Sequence, residues 1–346
     1  MGKRNGFGFI AAVIAGALVL FALGFVLNEH WLSVLIVMLF TACNALAWNL
    51  TFGYAGIFSL GHHVFFGVGS YISTLLFLKA GISPWIGMIA AALGAALIAV
   101  IVSLVGFRYK LSGVFFALFT MSLSLVMASV ATGWPWLGGP AGLLLPLAND
   151  PANFMFFDRK PYLIIILVML VAFIFITYFI DRSKFGYYLK AIREDEQAAE
   201  ASGINAYLYK TLVMAISAAM TGMVGTFYAQ FMLFIAPDVV FNFHIQLNML
   251  LGVLIGGAGT IMGPLLGSGI FSLLSEFLRN LPVEGSAKIS SASLMTYAVI
   301  LMLIALYLPK GIVSLRLTRK KSQEGDPDRE YENNSGKVKT DVAQSS

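Results

Sequence analysis

Two adjacent histidines, His62 and His63, stand in the stretch "SLGHHVFFGVGSY" at 59–71, where nearly every neighbour is apolar or glycine. An imidazole can hold a metal, relay a proton or hydrogen-bond a backbone group. Adjacent side chains point different ways on a helix, and no further ligands cluster nearby, so the pair makes a poor metal site. Two roles stay open for His62. Its ring could bond Ser59 or a freed backbone carbonyl, or it could line a path for a solute. The single cysteine, Cys43, lies in an apolar run and reads as a small buried residue. No catalytic residue and no metal ligand is assigned. No G-x-x-x-x-G-K-[ST] phosphate loop occurs, so nothing in the chain marks it as an ATPase.

A second group of reactive side chains lies at 190–204, "KAIREDEQAAEASGI". Its alanines, glutamates and glutamine favour a short helix. Ala191, Ala198, Ala201 and Ile204 form the small or apolar side, and Glu194, Asp195, Glu196 and Glu200 the polar side. Gly203 is placed to end the helix in a left-handed conformation. Such a segment can be a solvated connector or a rod that docks in a partner's groove.

These groups must be positioned by a chain of 346 residues that is 59% hydrophobic and 11% charged. Its mean hydropathy is +0.84. Soluble domains carry about 25% charged residues. The deficit implies an all-α polytopic membrane bundle. Apolar stretches long enough to cross a hydrocarbon core recur at 7–27, 31–50, 60–78, 85–106, 112–131, 162–180, 208–235, 245–258, 262–278 and 291–308, about ten spans. The first follows Lys3 and Arg4, as a signal peptide would, but is too long for one and lacks a cleavage site. With an even count and the N-terminus inside, 17 of the 22 basic residues fall on the cytoplasmic side and 5 outside. The net charge of +5 therefore reads as membrane-edge lysine and arginine, not as a nucleic-acid surface. His63 is expected at an interface or the cytoplasmic edge. The chain divides into a membrane domain at 1–317 and a polar tail at 318–346, expected to be disordered.

Two turns carry almost no charge. Residues 31–78 hold no Lys, Arg, Asp or Glu, and 245–278 hold only Glu276. Glycines interrupt both, at "TFGYAGIFSLG" and "GGAGTIMGP". Gly56, Gly67 and Gly69 are matched by Gly256, Gly267 and Gly269 at a constant offset of 200, a faint repeat. Asn44, Asn49, Asn242, Gln246 and Asn248 could hydrate a path or bond helix to helix. Gly67, Gly69, Ser70 and Ser73 suit close helix approach. The loop at 132–161, rich in Pro, Gly and aromatics, is expected to pack on the membrane face.

Residues 185–229 resemble the central segment of branched-chain amino acid ABC transporter permeases. The family pattern G-x-x-x-x-A-I-R-x-D-E-x-A-A-E-A-x-G-I is matched by Gly186, Ala191, Ile192, Arg193, Asp195, Glu196, Ala198, Ala199, Glu200, Ala201, Gly203 and Ile204. Ser217, Ala218, Gly222 and Gly225 follow, with Thr221 and Val224 where alanines are usual. "NLTFGYAGIFSLGHHVFFGVGSY" is similar to a second motif, in the form found in the LivM-like subunit. The departures are His63, Ser70 and "WLGGPAGL" at 136–143.

The resemblance implies the permease subunit of an ATP-driven importer for branched-chain or related amino acids, in a bacterial inner membrane with both termini cytoplasmic. Its coupling segment, about 185–204, would meet the ATPase through Arg193, Asp195, Glu196, Ala199, Glu200 and Gly203. The broken segments offer Asn49, Gly53, Gly56, Ser59, His62, Gly67, Gly69, Gly256 and Gly257 as path or hinge positions. The implied partners are a paralogous permease, two ATPase subunits and a solute-binding protein. This chain itself would bind no cofactor; ATP and Mg belong to the ATPases. A urea or short-amide permease is the neighbouring alternative. An ion-coupled secondary transporter would need more intramembrane acids than Glu276 and Asp238.

Overall fold

The computed structural model describes residues 4–111 and 113–279. Their elements are α1 (Arg4–Val26), α2 (Glu29–Asn49), α3 (His63–Ala80), α4 (Pro84–Arg108), α5 (Gly113–Gly133), α6 (Lys160–Arg182), α7 (Lys184–Glu194), α8 (Glu196–Ala201), α9 (Ala206–Met232), α10 (Pro237–Val240), α11 (Phe243–Gly256) and α12 (Met262–Arg279). A π-helical turn, Leu50–Tyr54, continues α2. One small antiparallel pair, β1 (Leu143–Leu144) with β2 (Phe234–Ile235), ties the long loop to the end of α9.

Eight helical spans among the described residues are long and apolar enough to cross a membrane, the eighth running through α10 and α11. The chain is thus an all-α, multi-pass membrane bundle. The expected span at 262–278 is helical as α12 but falls outside that set, since its serines, Glu276 and Arg279 dilute its apolarity. The expected span at 291–308 and the tail at 318–346 lie outside the described residues.

Local chemistry sets the helix ends. Asn28, Ser183, Asp195, Asn205 and Asn242 each accept a backbone N–H at the first turn of the helix that follows. Gly81 closes α3 in the left-handed conformation, and Pro84 opens α4 where its missing N–H costs nothing.

α9 is the central post, packed along α3 and α4. Small residues let the backbones touch. A Cβ on Gly69 would overlap the Gly222 backbone, and one on Gly225 would overlap the Phe66 carbonyl. Ser70 Oγ donates across this crossing to Gly225 O at 2.9 Å. Burial of lipid-like side chains against each other gains little in a bilayer, so close approach and such bonds carry the packing. The outer face of α4 shows the opposite pattern. Ile86, Ile89, Leu93, Leu97 and Ile101 recur at helical spacing and are all exposed, a stripe made for hydrocarbon.

The loop before α6 folds over the bundle as expected. Phe154 is fully buried and stacks on Trp85 at 4.4 Å, beside Tyr162 and Phe227. The α7–α8 end of the bundle and this loop end are the two faces of the molecule.

Candidate functional site

α2 stops inside the bundle. After the π-turn, Gly56 takes φ of +70°, and the chain runs without helical bonds to His62. In an apolar interior every freed backbone group needs a partner. Here three helices, α2, α5 and α11, supply them. Trp48 Nε1 donates to Ser59 O at 2.9 Å, and Gln246 Nε2 donates to the same oxygen at 3.2 Å. Gln246 Oε1 accepts the His63 N–H at 3.4 Å. Thr120 Oγ1 accepts the N–H groups of Leu60 and Gly61, each at 3.2 Å.

A second break separates α11 from α12, with positive φ at Gly257 and Gly259. The two breaks meet through one side chain. Asn49 Oδ1 accepts the Gly259 N–H at 2.9 Å while its Nδ2 donates to Thr260 O at 2.9 Å. Gly53 lies against this junction, and a Cβ there would overlap both the Asn49 amide and the Gly259 nitrogen. Into the same seam reaches Arg193 from α7. Its Nη1 donates to Gly53 O, its stem packs at Gly56, and a Cβ on Gly259 would lie 2.8 Å from that nitrogen. One guanidinium therefore touches both breaks.

His62 is fully buried. Its Nε2 lies 2.8 Å from Ser217 Oγ, and that hydroxyl donates to Ala47 O at 2.5 Å. A hydroxyl has one hydrogen to give, so His62 Nε2 carries the hydrogen of the first contact. The relay joins the start of α3 to α9 and α2. The partner is thus Ser217, not Ser59. His63 is buried as well, its ring 6.1 Å from that of Phe243, and so not at the cytoplasmic edge, one of the two placements expected.

The charged segment forms two helices where the sequence suggested one. Asp195 leaves helical φ and ψ and caps α8, accepting the Ala198 N–H at 3.0 Å. An aspartate competes for backbone N–H groups and so favours a cap over a helix interior. The break rotates the faces. Leu189, Ile192 and Ala199 are the buried positions, whereas Ala198 and Ala201 are exposed. Glu194, Asp195, Glu196, Glu200 and Gly203 stay exposed, with Gly203 at φ of +84° after α8. Lys190 pairs with Asp181 at 2.6 Å and Lys210 with Glu196 at 2.5 Å, holding α7 and α8 to α6 and α9.

Of the residues singled out in the sequence, Asn49, Gly53, Gly56, Ser59, His62 and Arg193 converge on this region, and Gly256 and Gly257 frame the second break. Gly67 and Gly69 do not reach it; they abut the Phe241 ring and the Gly222 backbone. Trp48 and Thr120 were missed. Thr120 has Ser122 and Ser124 beside it, and nothing in their types marks which hydroxyl faces the break.

A model of the family described as "Branched-chain amino acid transport system / permease component" matches residues 30–308. Among curated proteins, the chain is 24% identical to the high-affinity branched-chain amino acid transport system permease protein LivM of Escherichia coli K12, over 80% of this chain and 68% of that protein. It is 25% identical to the permease protein LivH of Salmonella typhimurium, over 79% of this chain and 90% of that one. It is 28% identical to the nucleoside ABC transporter permease protein NupC of Lactococcus lactis, over 48% of this chain and 52% of that one. No solved structure matches.

Proposed function

The chain belongs to the branched-chain amino acid transport system permease family, and from that premise we propose how it works. It is the membrane-spanning permease of an ATP-driven importer and not an enzyme. LivM and LivH are distinct permease proteins, and this chain is similar to both. That supports pairing with a paralogous permease. Two ATPase subunits on the α7–α8 face and a solute-binding protein on the loop face complete the machine. The basic residues gathered at the α7–α8 end, Arg108, Lys110, Arg182, Lys184, Lys190, Arg193 and Lys210, support a cytoplasmic placement of that end.

The observation that carries the reading is the Arg193 bridge. α7 and α8 present Glu194, Asp195, Glu196 and Glu200 outward, while Arg193 reaches inward to the carbonyl of Gly53 beside Gly259. Force applied to this rod by an ATPase passes through a charge-assisted bond to the junction of two interrupted helices. Interrupted helices are where a permease can bend without leaving backbone groups unpaired. Closure of the ATPases shifts the seam and switches the bundle from inward-facing to outward-facing. Ala199, being buried, acts in this scheme as an anchor under the contact surface and does not itself touch the ATPase.

The names of the relatives favour branched-chain amino acids over urea or short amides as cargo. The test is a reconstituted complex carrying Arg193→Ala or Glu200→Ala. ATP hydrolysis persists, and uptake of labelled leucine per ATP falls about tenfold or more, the loss of a 1.4 kcal/mol or larger coupling term. Undiminished coupled uptake in both variants overturns the coupling role. Preferred uptake of urea or a nucleoside over leucine overturns the cargo.

A further inference from the structure

At the loop end, opposite the Arg193 seam, a cavity of about 680 Å³ opens between α2, α12, the end of α9, the end of the loop and the start of α6. Its size falls within the range of ordinary small-molecule sites. The wall from α2 is one helical face, His30, Ser33, Val34, Val37 and Thr41, at steps of three and four residues. Two charges of opposite sign line the cavity. Glu276 of α12 is buried, its side chain 8% exposed, and its Oε1 lies 3.3 Å from Nε2 of the half-exposed His30. Arg159 donates through Nη1 to Ser33 Oγ and to Glu29 O, and its Nε lies 4.0 Å from a Glu29 carboxylate oxygen. The carboxylate is thus tied to position 30 and the guanidinium to position 33, one helical turn apart, where Cβ atoms stand about 5–6 Å from each other. Val34, Val37 and Phe271 supply an apolar wall.

We propose that this cavity is a transit site for a zwitterionic α-amino acid. Glu276 receives the ammonium group, Arg159, held in place by Ser33, the carboxylate, and Val34, Val37 and Phe271 the apolar side chain. The inference rests on the permease reading and adds the place where the cargo is held and the residues that select it. An ammonium group reaching Glu276 displaces the His30 ring, which is half in solvent and can leave. Guanidinium has five donors in a planar fork, and the contacts of Arg159 use Nη1 and Nε, leaving the Nη2 pair for a carboxylate. An uncharged solute of the same size offers neither group anything to exchange for its present partner, so it gains no hold in the cavity. Because each charge already has a local partner, the site holds a zwitterion by exchange and so releases it readily, as a transit site must.

The experiment uses the full complex in proteoliposomes with its ATPases, second permease and loaded binding protein. Ser272→Cys places a thiol at the cavity wall, while the native Cys43 is buried. Leucine slows alkylation of that thiol, whereas leucinamide, lacking the carboxylate, and 4-methylpentanoate, lacking the ammonium group, do not. Separately, Glu276→Gln and Arg159→Met lower leucine uptake about tenfold or more. Equal protection by the three compounds, or none by leucine from a complex that takes leucine up, overturns the site and leaves the permease reading standing. A complex of unaltered subunits that moves no leucine overturns both. The thiol measurement keeps both charges in place, so it decides even if a charge variant fails to assemble.

Discussion

The two ends of this bundle handle polar groups in opposite ways. At the α7–α8 end the polar atoms are mainly backbone, released by broken helices, and each named one is met by a fixed side chain of the same molecule: Asn49 on Gly259 and Thr260, Thr120 on Leu60 and Gly61, Arg193 on Gly53. A hollow of about 240 Å³ borders Gly56 and Arg193, but the bonds of the seam are already made within the fold. At the loop end the polar atoms are side-chain charges around an open cavity, and their partners, His30 and Glu29, are largely exposed. A seam with saturated bonds transmits displacement. A cavity whose partners can be exchanged accepts a ligand. The difference teaches that similar counts of polar residues in a membrane protein serve opposite ends depending on whether the partner is covalently part of the fold.

The largest effect expected from this contrast comes from adding one methyl group. Gly53→Ala places a Cβ into the Asn49 amide and the Gly259 nitrogen, neither of which can withdraw without breaking the junction. Overpacking of this kind costs about 1–3 kcal/mol, and the backbone neighbour puts it near the top of that range. Gly269→Ala on α12 is the matched control, since its nearest neighbour is Met38 Sδ at 3.7 Å, an ordinary contact. Thermal unfolding in nanodiscs should separate the two by several degrees, with transport lost in the first and kept in the second. Equal tolerance of both would mean that the seam is not tight.

Next in size are the side chains that satisfy the break. Thr120→Val keeps shape but strands two N–H groups, and Ser217→Ala strands His62 Nε2–H while freeing Ala47 O. Interhelical bonds in membranes contribute about 0.6–1.7 kcal/mol. Each variant should therefore lose about 1–2 kcal/mol, read from the same unfolding midpoint. Ser272→Ala at the cavity wall should lose less than about 0.5 kcal/mol. A cavity variant as costly as Thr120→Val would dissolve the distinction between the ends.

Much of this was legible in the residues. Composition alone demands a membrane bundle, and the glycine clusters around Gly56 and Gly256–Gly257 mark where helices stop. Asn49, Gly53, Ser59, His62 and Arg193 stand out because their types are expensive or permissive in apolar sequence. What pattern could not supply is partnership across the chain. Asn49 and Gly259 are 210 residues apart, and nothing local says that an amide in one break closes the other. Periodicity also misled at Asp195, where one residue's preference for capping outweighed a continuous helical pattern and turned Ala198 and Ala201 outward. The span at 262–278 shows the reverse lesson. Its serines and Glu276 weaken it as a hydrocarbon helix because it faces a cavity, and that weakness, with Asn248, was the sequence trace of the loop-end site.

The smallest expected effect probes the charged rod itself. Glu196 and Lys210 stand 2.5 Å apart, but the Glu196 side chain is nearly half exposed. Exposed ion pairs contribute about 0–1 kcal/mol and weaken with salt. Glu196→Gln should shift the unfolding midpoint by an amount close to measurement error at physiological salt and by less still at 1 M. Arg193 differs because its bond ends on a neutral backbone carbonyl, with no opposite charge for salt to screen, so the loss of coupling in Arg193→Ala should be nearly the same at both ionic strengths. If uptake per ATP recovers with salt in the Arg193 variant, or collapses in Glu196→Gln with the fold intact, then force enters through the exposed pair of α8, and the seam follows it.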